Sequence, residues 1–444
     1  MHKPVDLTFQ DLLKNKPFLL LWANQFCLQM SYSMTNFALI LWVYELTKRN
    51  TIVSLLILTI SIPSILFGTF AGVIADRVNR KHIIQITDVL LALLFFAFWF
   101  VGNSIALIFL LAFIISIVSQ FFLPAEAATI PTIVPKELLV KANSLFSLTI
   151  YASLIVGYSL AGPAISLSGN YITPFVLAGL LTGFASIIFL RFPSLHKKSD
   201  LPKSDRKLSL AIALAFEEIR EGLHYVINKK IILVSLLLLT AVQAFVSTLS
   251  VLIPEYINNI LQIPATNASY IIMLPLGLGL ITGAFFNGAY AKLFSRRRLV
   301  EISIIGVSTM LLLLASAPVI SDYLIIHSVS LSLNFRRPLE HIIGLSGLLA
   351  IFSYFLGFFN VSIVIPAQTV LQEYTPEALR GRVFGVLNML MSSLATLPVI
   401  LVGSLADWFG TVTLISTIAL CIMFIGLFIQ SKRFVTERLL FRKE

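Results

Sequence analysis

Gly72-Val73-Ile74-Ala75-Asp76-Arg77-Val78-Asn79-Arg80-Lys81 closes one apolar run and opens the next, and its composition decides how the chain is read. An acid, three basic residues and a glycine are packed where a membrane helix would meet water. One such turn says little alone. Its place after the second of about twelve apolar runs makes it informative.

The chain has 444 residues, 58% of them hydrophobic and only 12% charged, and its mean hydropathy is +0.93. Soluble domains carry about 25% charged residues, so a water-soluble core is excluded. A helix crossing about 30 Å of hydrocarbon needs about 20 mostly apolar residues, and spanning segments must be helices or a closed barrel to keep backbone groups paired. The apolar runs are long enough for helices. They predict spans near 18–44, 52–75, 83–101, 104–124, 143–166, 172–190, 231–253, 269–291, 299–318, 343–365, 383–406 and 411–430. The fold class expected is an all-α membrane protein with twelve transmembrane helices.

With the N-terminus placed in the cytoplasm, 28 of the 32 Lys and Arg fall on cytoplasmic segments. The remaining four, Lys48, Arg49, Arg336 and Arg337, fall on outer loops, and none lies inside a span. That bias is the positive-inside pattern, so a multi-pass protein of the cytoplasmic (inner) membrane with both termini cytoplasmic is expected. The net charge of +11 then reports topology and contact with anionic membrane lipids, not a nucleic-acid partner. The polar start, residues 1–17, precedes a run too long for a cleavable signal, so that run is expected to remain as span one. Cys27 and Cys421 lie within spans and read as packing residues.

The longest polar interruption, Arg191 to Lys230, separates six spans from six. It predicts an N-terminal bundle at 1–190, a cytoplasmic linker at 191–230 and a C-terminal bundle at 231–444. Leu208 to Asn228 within the linker reads as an amphipathic helix, either at the membrane surface or as a solvated connector. The halves echo each other. Pro124-Ala125-Glu126 after span four, with Pro135 beyond it, pairs with Pro366-Ala367-Gln368 after span ten, with Pro376 beyond it. Gly72–Lys81 pairs in the same way with Gly288–Arg298. Repeated six-span halves are how many secondary transporters build a midplane site with alternating access.

On these residues the chain resembles the major facilitator superfamily over essentially its whole length. The family's loop signature, Gly-x-x-x-Asp-Arg-x-Gly-Arg-Arg/Lys, is matched by Gly72, Asp76, Arg77, Arg80 and Lys81. Asn79 replaces the second Gly and is expected to supply the left-handed backbone itself. More narrowly, the chain looks like the branch containing macrolide exporters and the enterobactin exporter. That likeness rests on Trp42 to Thr47, Pro63, Phe67-Gly68, Pro124-Ala125 and Arg380-Gly381-Arg382-Val383-Phe384-Gly385. The resemblance implies two pseudo-symmetric six-helix bundles, the major facilitator fold, and a secondary active transporter working as an antiporter in efflux.

Asp76 beside Arg77 and Arg80, facing the positive N-terminus of another helix, would make a charged latch that a rigid-body shift breaks. A solvated positive-inside loop is the other reading. In span five Gly157, Gly162 and Pro163 allow close approach and a bend, similar to the family's exporter-associated motif. A purely structural kink explains them equally.

Polar residues in spans should face inward, because lipid-facing ones are costly. Gln25, Gln29, Tyr32 and Asn36 in span one share a helical face, as do Thr240, Gln243, Ser247 and Ser250 in span seven. These stripes are expected to line the substrate cavity, with helix-to-helix contacts as the alternative. With no Lys or Arg in any span and 35 Phe, the cargo expected is a lipophilic or amphipathic small molecule.

No phosphate-binding Gly-x-x-x-x-Gly-Lys-Ser/Thr loop is present, so an ion gradient is the expected energy source and protons the expected partner. A proton coupler needs a carboxylate in a partly desolvated site. Asp88, seven residues past Lys81, is the first candidate, followed by Glu126 at the inner end of span four and Glu255 at the outer end of span seven. The arginine that many family antiporters carry in span four has no match here, which speaks against protons. No cofactor or metal is expected, and a monomer is.

Two rivals remain. A lysophospholipid translocator of the same fold is suggested by the Pro-Ala and Val140-Lys141-Ala142-Asn143 stretches. A polytopic membrane enzyme would need a nucleophile with a base or a metal cluster, and the six His residues sit at or beyond span ends without ligand spacing.

Overall fold

A computed structural model describes residues 9–193, 220–221, 223–290, 295–328, 337–376, 383, 387, 390–391 and 396–431. Among them there is no strand, and nearly all are helical. The first half holds α1 (Phe9–Lys14), α2 (Lys16–Thr47), α3 (Asn50–Arg77), α4 (Arg80–Ala97), α5 (Ile105–Ser119), α6 (Phe122–Ile133), α7 (Leu139–Ser168) and α8 (Thr173–Phe189). The second half holds α9 (Lys230–Glu255), α10 (Leu274–Tyr290), α11 (Arg296–Ser328), α12 (Arg337–Tyr374), α13 (Thr396–Phe409) and α14 (Thr411–Ser431).

Ten helical stretches among the described residues are long and apolar enough to cross a membrane. Two shorter apolar helices, Thr173–Phe189 and Pro398–Phe409, stand at the positions of spans six and eleven. Outward-facing side chains such as Leu93, Phe184, Ile187, Phe285 and Phe424 are exposed, as a lipid-facing surface requires.

Several ends differ from the sequence expectation, and the reasons are local. Span four does not stop at Pro124. Its first segment, α5, ends in a tightened turn where Gln120 and Phe121 donate to Ile117 and Val118, and α6 then carries the helix on to Ile133. Pro124 falls in the first turn of α6, where its missing N–H is not needed. Likewise α12 runs through Pro366 to Tyr374. The Pro-Ala pairs therefore lie inside helices, and Glu126 belongs to the bundle interior, not to a helix end.

Asn79 also departs from expectation. Its backbone is not left-handed, with φ −60° and ψ 115°, and its Oδ1 accepts from the Lys81 N–H at 3.0 Å as the N-cap of α4. Asn is a favoured N-cap because it satisfies an orphan donor of the first turn. Left-handed backbone among the described residues lies elsewhere, at Lys48, Gly102 and Gln262, at Gly169 (φ 67°) ending α7 and at Gly410 (φ 86°) between α13 and α14.

The chain divides into two compact units, Met1–Leu46 with Leu58–Glu217, and Thr47–Ile57 with Glu218–Glu444. In the first, Gly157 of α7 lies so close to α2 that an added Cβ would stand 2.6 Å from the Met30 carbonyl oxygen. Phe98 and Phe175 stack at 4.1 Å between centroids, with Trp42 against Phe175 at 5.7 Å. In the second unit, a core of Val226, Ile232, Leu236, Leu239, Ala367 and Leu371 joins the end of the linker segment to α9 and α12. Val226 is fully buried there, so the described end of the expected linker helix docks on protein; residues 208–219 lie outside the described residues.

Small residues bring α10 and α12 together in the second unit, a feature the sequence reading passed over. A Cβ at Gly279 would stand 1.9 Å from the Tyr354 carbonyl oxygen, and one at Gly357 would stand 2.0 Å from that of Leu276. Close backbone approach at small residues is the usual means of packing membrane helices. Gly279→Val is expected to cost about 1–3 kcal/mol through overpacking, read as a lowered Tm in detergent. Gly347→Ala, with open space around it, should leave the Tm unchanged.

Candidate functional site

The first unit holds a buried polar cluster made by three helices. Asp88 on α4 is fully buried, Glu126 on α6 is 3% exposed and Asn24 on α2 is 1% exposed. Asp88 falls on the inward face of α4 with Ile84, Thr87, Leu91 and Phe95, at helical spacing. Glu126 is near enough to Asp88 for the two carboxylates to feel each other's charge, and Cys27 lies within the same range. Asn24 approaches the Asp88 carboxylate, but in no contact is hydrogen-bond geometry reached. Both Asp88 oxygens, Glu126 Oε1 and both Asn24 amide atoms thus stay without a hydrogen-bond partner.

That arrangement is energetically unusual. A buried carboxylate is normally paired with a cation or saturated with donors, because stripping its hydration is costly. No Lys or Arg occurs in α5, α6 or α8, or beyond the first two residues of α2 and α4. Two carboxyl groups therefore share an interior in which the described residues give Asp88 no completed hydrogen bond and no counter-charge, with the Asn24 amide the group that approaches it. Asp88 and Glu126 stand in the sequence as separate candidates; the structure brings them together. Asn24 was not among those candidates; its signal was a polar residue next to Gln25 and three before Cys27 in an apolar span.

Gln25, Gln29, Tyr32 and Asn36 lie on α2 as their spacing demands. Gln25 is buried with Oε1 unpartnered, while the other three are half-buried. Tyr32 lies near Tyr158 of α7, which stacks on Phe37 at 5.1 Å. On α9, Thr240 and Ser250 donate to the carbonyls of Leu236 and Val246, at 2.9 and 3.0 Å. These are hydroxyls satisfied within their own helix. Gln243 and Ser247 are half-buried on the same helix.

The signature turn is built from helix ends. Gly72 has open space around it, and α3 continues through Asp76 to Arg77, whose side chains are outside the described residues. Arg80 donates from Nη1 to the Ala128 carbonyl at 2.7 Å. The Lys81 ammonium donates to the carbonyls of Leu190, at 3.2 Å, and Phe192. A cation on the last carbonyls of a helix complements its dipole, so Lys81 caps α8. Gly162 and Pro163 sit within the unbroken α7. Arg380, Gly381 and Arg382 lie outside the described residues.

Glu255 has a different setting from the other two carboxylates. Asn50 Nδ2 donates to its Oε2, and Thr411 Oγ1 does so at 2.6 Å. Beside it, the Asp407 carboxylate accepts from the backbone N–H groups of Asn50 (2.9 Å) and Thr51 (3.0 Å) and from the Thr51 hydroxyl (2.6 Å). Asp407 thus serves as N-cap of α3 from another helix, placing a negative charge on the positive end of the dipole. Gly403 makes this possible, since a Cβ there would stand 2.7 Å from the Asn50 carbonyl oxygen.

The sequence pattern of the Major Facilitator Superfamily matches residues 21–397. The chain belongs to that family. It is 28% identical over 295 residues to YkuC of Bacillus subtilis (strain 168), an uncharacterised MFS-type transporter, covering 64% of this chain and 66% of that one. Identity to the multidrug efflux pump Tap of Mycolicibacterium fortuitum is 25%, covering 82% of this chain and 83% of Tap. To macrolide efflux protein A of Streptococcus pyogenes it is 26%, covering 61% and 67%. Among solved structures, peptide transporter POT in complex with sulfate superposes with TM-score 0.64 over 96% of each chain at 15% identity, which speaks for the fold alone. The protein is thus a multi-pass membrane transporter of small molecules with the major facilitator fold, and not an enzyme.

Replacing Asp407 by Ala removes the cap of α3 and is expected to cost about 1 kcal/mol, seen as a lowered Tm in detergent. Asp407→Asn, which keeps an acceptor, should lose less.

Proposed function

We propose that this transporter exports a lipophilic or amphipathic small molecule across the cytoplasmic membrane by alternating access, as a proton-coupled antiporter with both termini in the cytoplasm. Bundles at 1–190 and 231–444, joined by the linker at 191–230, would rock about a cavity lined by Gln25, Gln29, Tyr32 and Asn36 of α2 and Thr240, Gln243, Ser247 and Ser250 of α9. The cavity offers neutral hydrogen-bonding groups and no Lys or Arg, which suits lipophilic cargo. The efflux relatives support the direction. Gly72, Asp76, Arg77, Arg80 and Lys81 would latch one state, with Arg380 and Arg382 on the opposite half.

The observation that carries the reading is the pair of buried carboxylates in a chain with no ATP-binding loop. An intramembrane carboxyl group marks an ion pathway more often than a structural contact. Moving one proton down the membrane potential yields about 2.3 kcal/mol per 100 mV, enough to drive a neutral cargo uphill. Glu255, bonded to Asn50 and Thr411, is better suited to holding helix ends than to carrying protons.

Energised inverted vesicles test this with a macrolide, a lipophilic dye and a lysophospholipid as probes. Uptake of the macrolide or the dye should follow an imposed pH gradient in the native protein and become independent of it in Asp88→Asn. Gradient-independent uptake by the native protein would overturn the coupling, and transfer of lysophospholipid alone would favour a lipid translocator.

A further inference from the structure

We propose that Asp88 and Glu126, with Asn24 facing them, form one buried binding site for a single monovalent cation, a proton or Na⁺, in the N-terminal unit. The inference rests on the reading of an ion-driven transporter and deepens it. It turns two alternative coupling residues into one site.

Three observations carry it. The first is the set of five unpartnered polar atoms on three converging helices, four of them oxygens of the kind that bind hard cations or share a proton. The second is that no positive charge is set against the pair by the described residues; the side chains of Asp76 and Arg77 in α3 lie outside them. The titratable groups facing the pair are Cys27 from α2 and the two acids themselves; α5 and α8 contribute none, and α7 brings Tyr158 near Tyr32. Arg80 and Lys81, the nearest basic residues along α4, are engaged with backbone carbonyls at helix ends. Two like charges so placed repel, and a positive charge between them relieves both the repulsion and the lost hydration.

The third observation is the internal repeat. Glu126 in Pro124-Ala125-Glu126 corresponds to Gln368 in Pro366-Ala367-Gln368, so the second half carries the neutral isostere where the first carries the acid. Asp88 likewise has no counterpart: α11 from Arg298 to Ile320 holds only Glu301, three residues past Arg298 and ion-paired to Arg297 at 2.6 Å. The repeat thus lacks both acids in the C-terminal half. That is the pattern expected when only one half binds the ion.

Binding of a cation to the native site, and its release on unfolding, must appear as stability that depends on that cation. If the native site holds a proton that the unfolded chain has given up, stability is greatest at low pH and falls as the pH rises. The full-length protein in lipid nanodiscs is melted between about pH 5.5 and about pH 8.5, in NaCl or in KCl at equal ionic strength. Native protein should lose at least about 2 °C of Tm on going alkaline in KCl. Asp88→Asn/Glu126→Gln should show neither pH nor Na⁺ dependence, and at the alkaline end should melt above the native protein. Each single variant should lose part of the dependence.

Stabilisation of alkaline native protein by NaCl but not KCl would assign Na⁺ to the site. The shared site would then stand while the proton-coupled reading of export failed. A double variant that keeps the native pH and Na⁺ dependence would overturn the proposal. So would one less stable than native at every pH, since a purely structural pair behaves that way, and so would a native protein insensitive to both ions.

Discussion

Hydrocarbon cannot hydrate a charge or a backbone amide, and this constraint orders the whole molecule. Backbone groups pair within helices, which accommodate proline both in a first turn, as at Pro124 of α6, and in the interior, as at Pro63 and Pro366. Basic residues are confined to helix ends, where they become useful. Lys81 completes the carbonyls after α8, and Asp407 completes the amides that open α3. Against this background Asp88 and Glu126 are conspicuous. They are buried acids, with both Asp88 oxygens and Glu126 Oε1 lacking a hydrogen-bond partner among the described residues.

The two halves have used their shared plan differently. In the second unit the contact between α10 and α12 is neutral: Asn287 donates to Ser362 at 2.9 Å and Thr282 to the Tyr354 hydroxyl at 2.8 Å. In the first unit the polar cluster is acidic and unsatisfied. A duplicated fold in which one copy keeps acids and the other carries Gln368 in the matching place is consistent with ion binding by one half, as proposed. Residues 47–57, which include the first turns of α3, belong with the second unit, while the rest of that helix belongs with the first.

Much of this was legible in the sequence, because period and charge are local signals. Apolar runs located the spans, and the placement of Lys and Arg marked their ends. What escaped was whatever depended on distant partners. Asp407 caps a helix 357 residues away, so no capping pattern around it could announce the role. Gly279 and Gly357 read as ordinary residues of apolar helices until the opposing carbonyls came into view. Pro124 and Pro366 stand at the ends that the apolar runs predict for spans four and ten, whereas the helix continues past each. Asn79 was matched to a glycine by position, and its side-chain oxygen gave it a different use. Asp88 and Glu126 were visible singly, but their proximity required the packing of α4 against α6.

The most direct test of the proposed buried ion site is charge movement in its absence and presence. Proteoliposomes adsorbed on a solid-supported membrane are exposed to a rapid acid jump, without cargo, and the displacement current is recorded. Native protein should give a transient that vanishes in Asp88→Asn/Glu126→Gln. Equal transients from the two proteins would show that protons move elsewhere and would contradict proton binding by the paired acids.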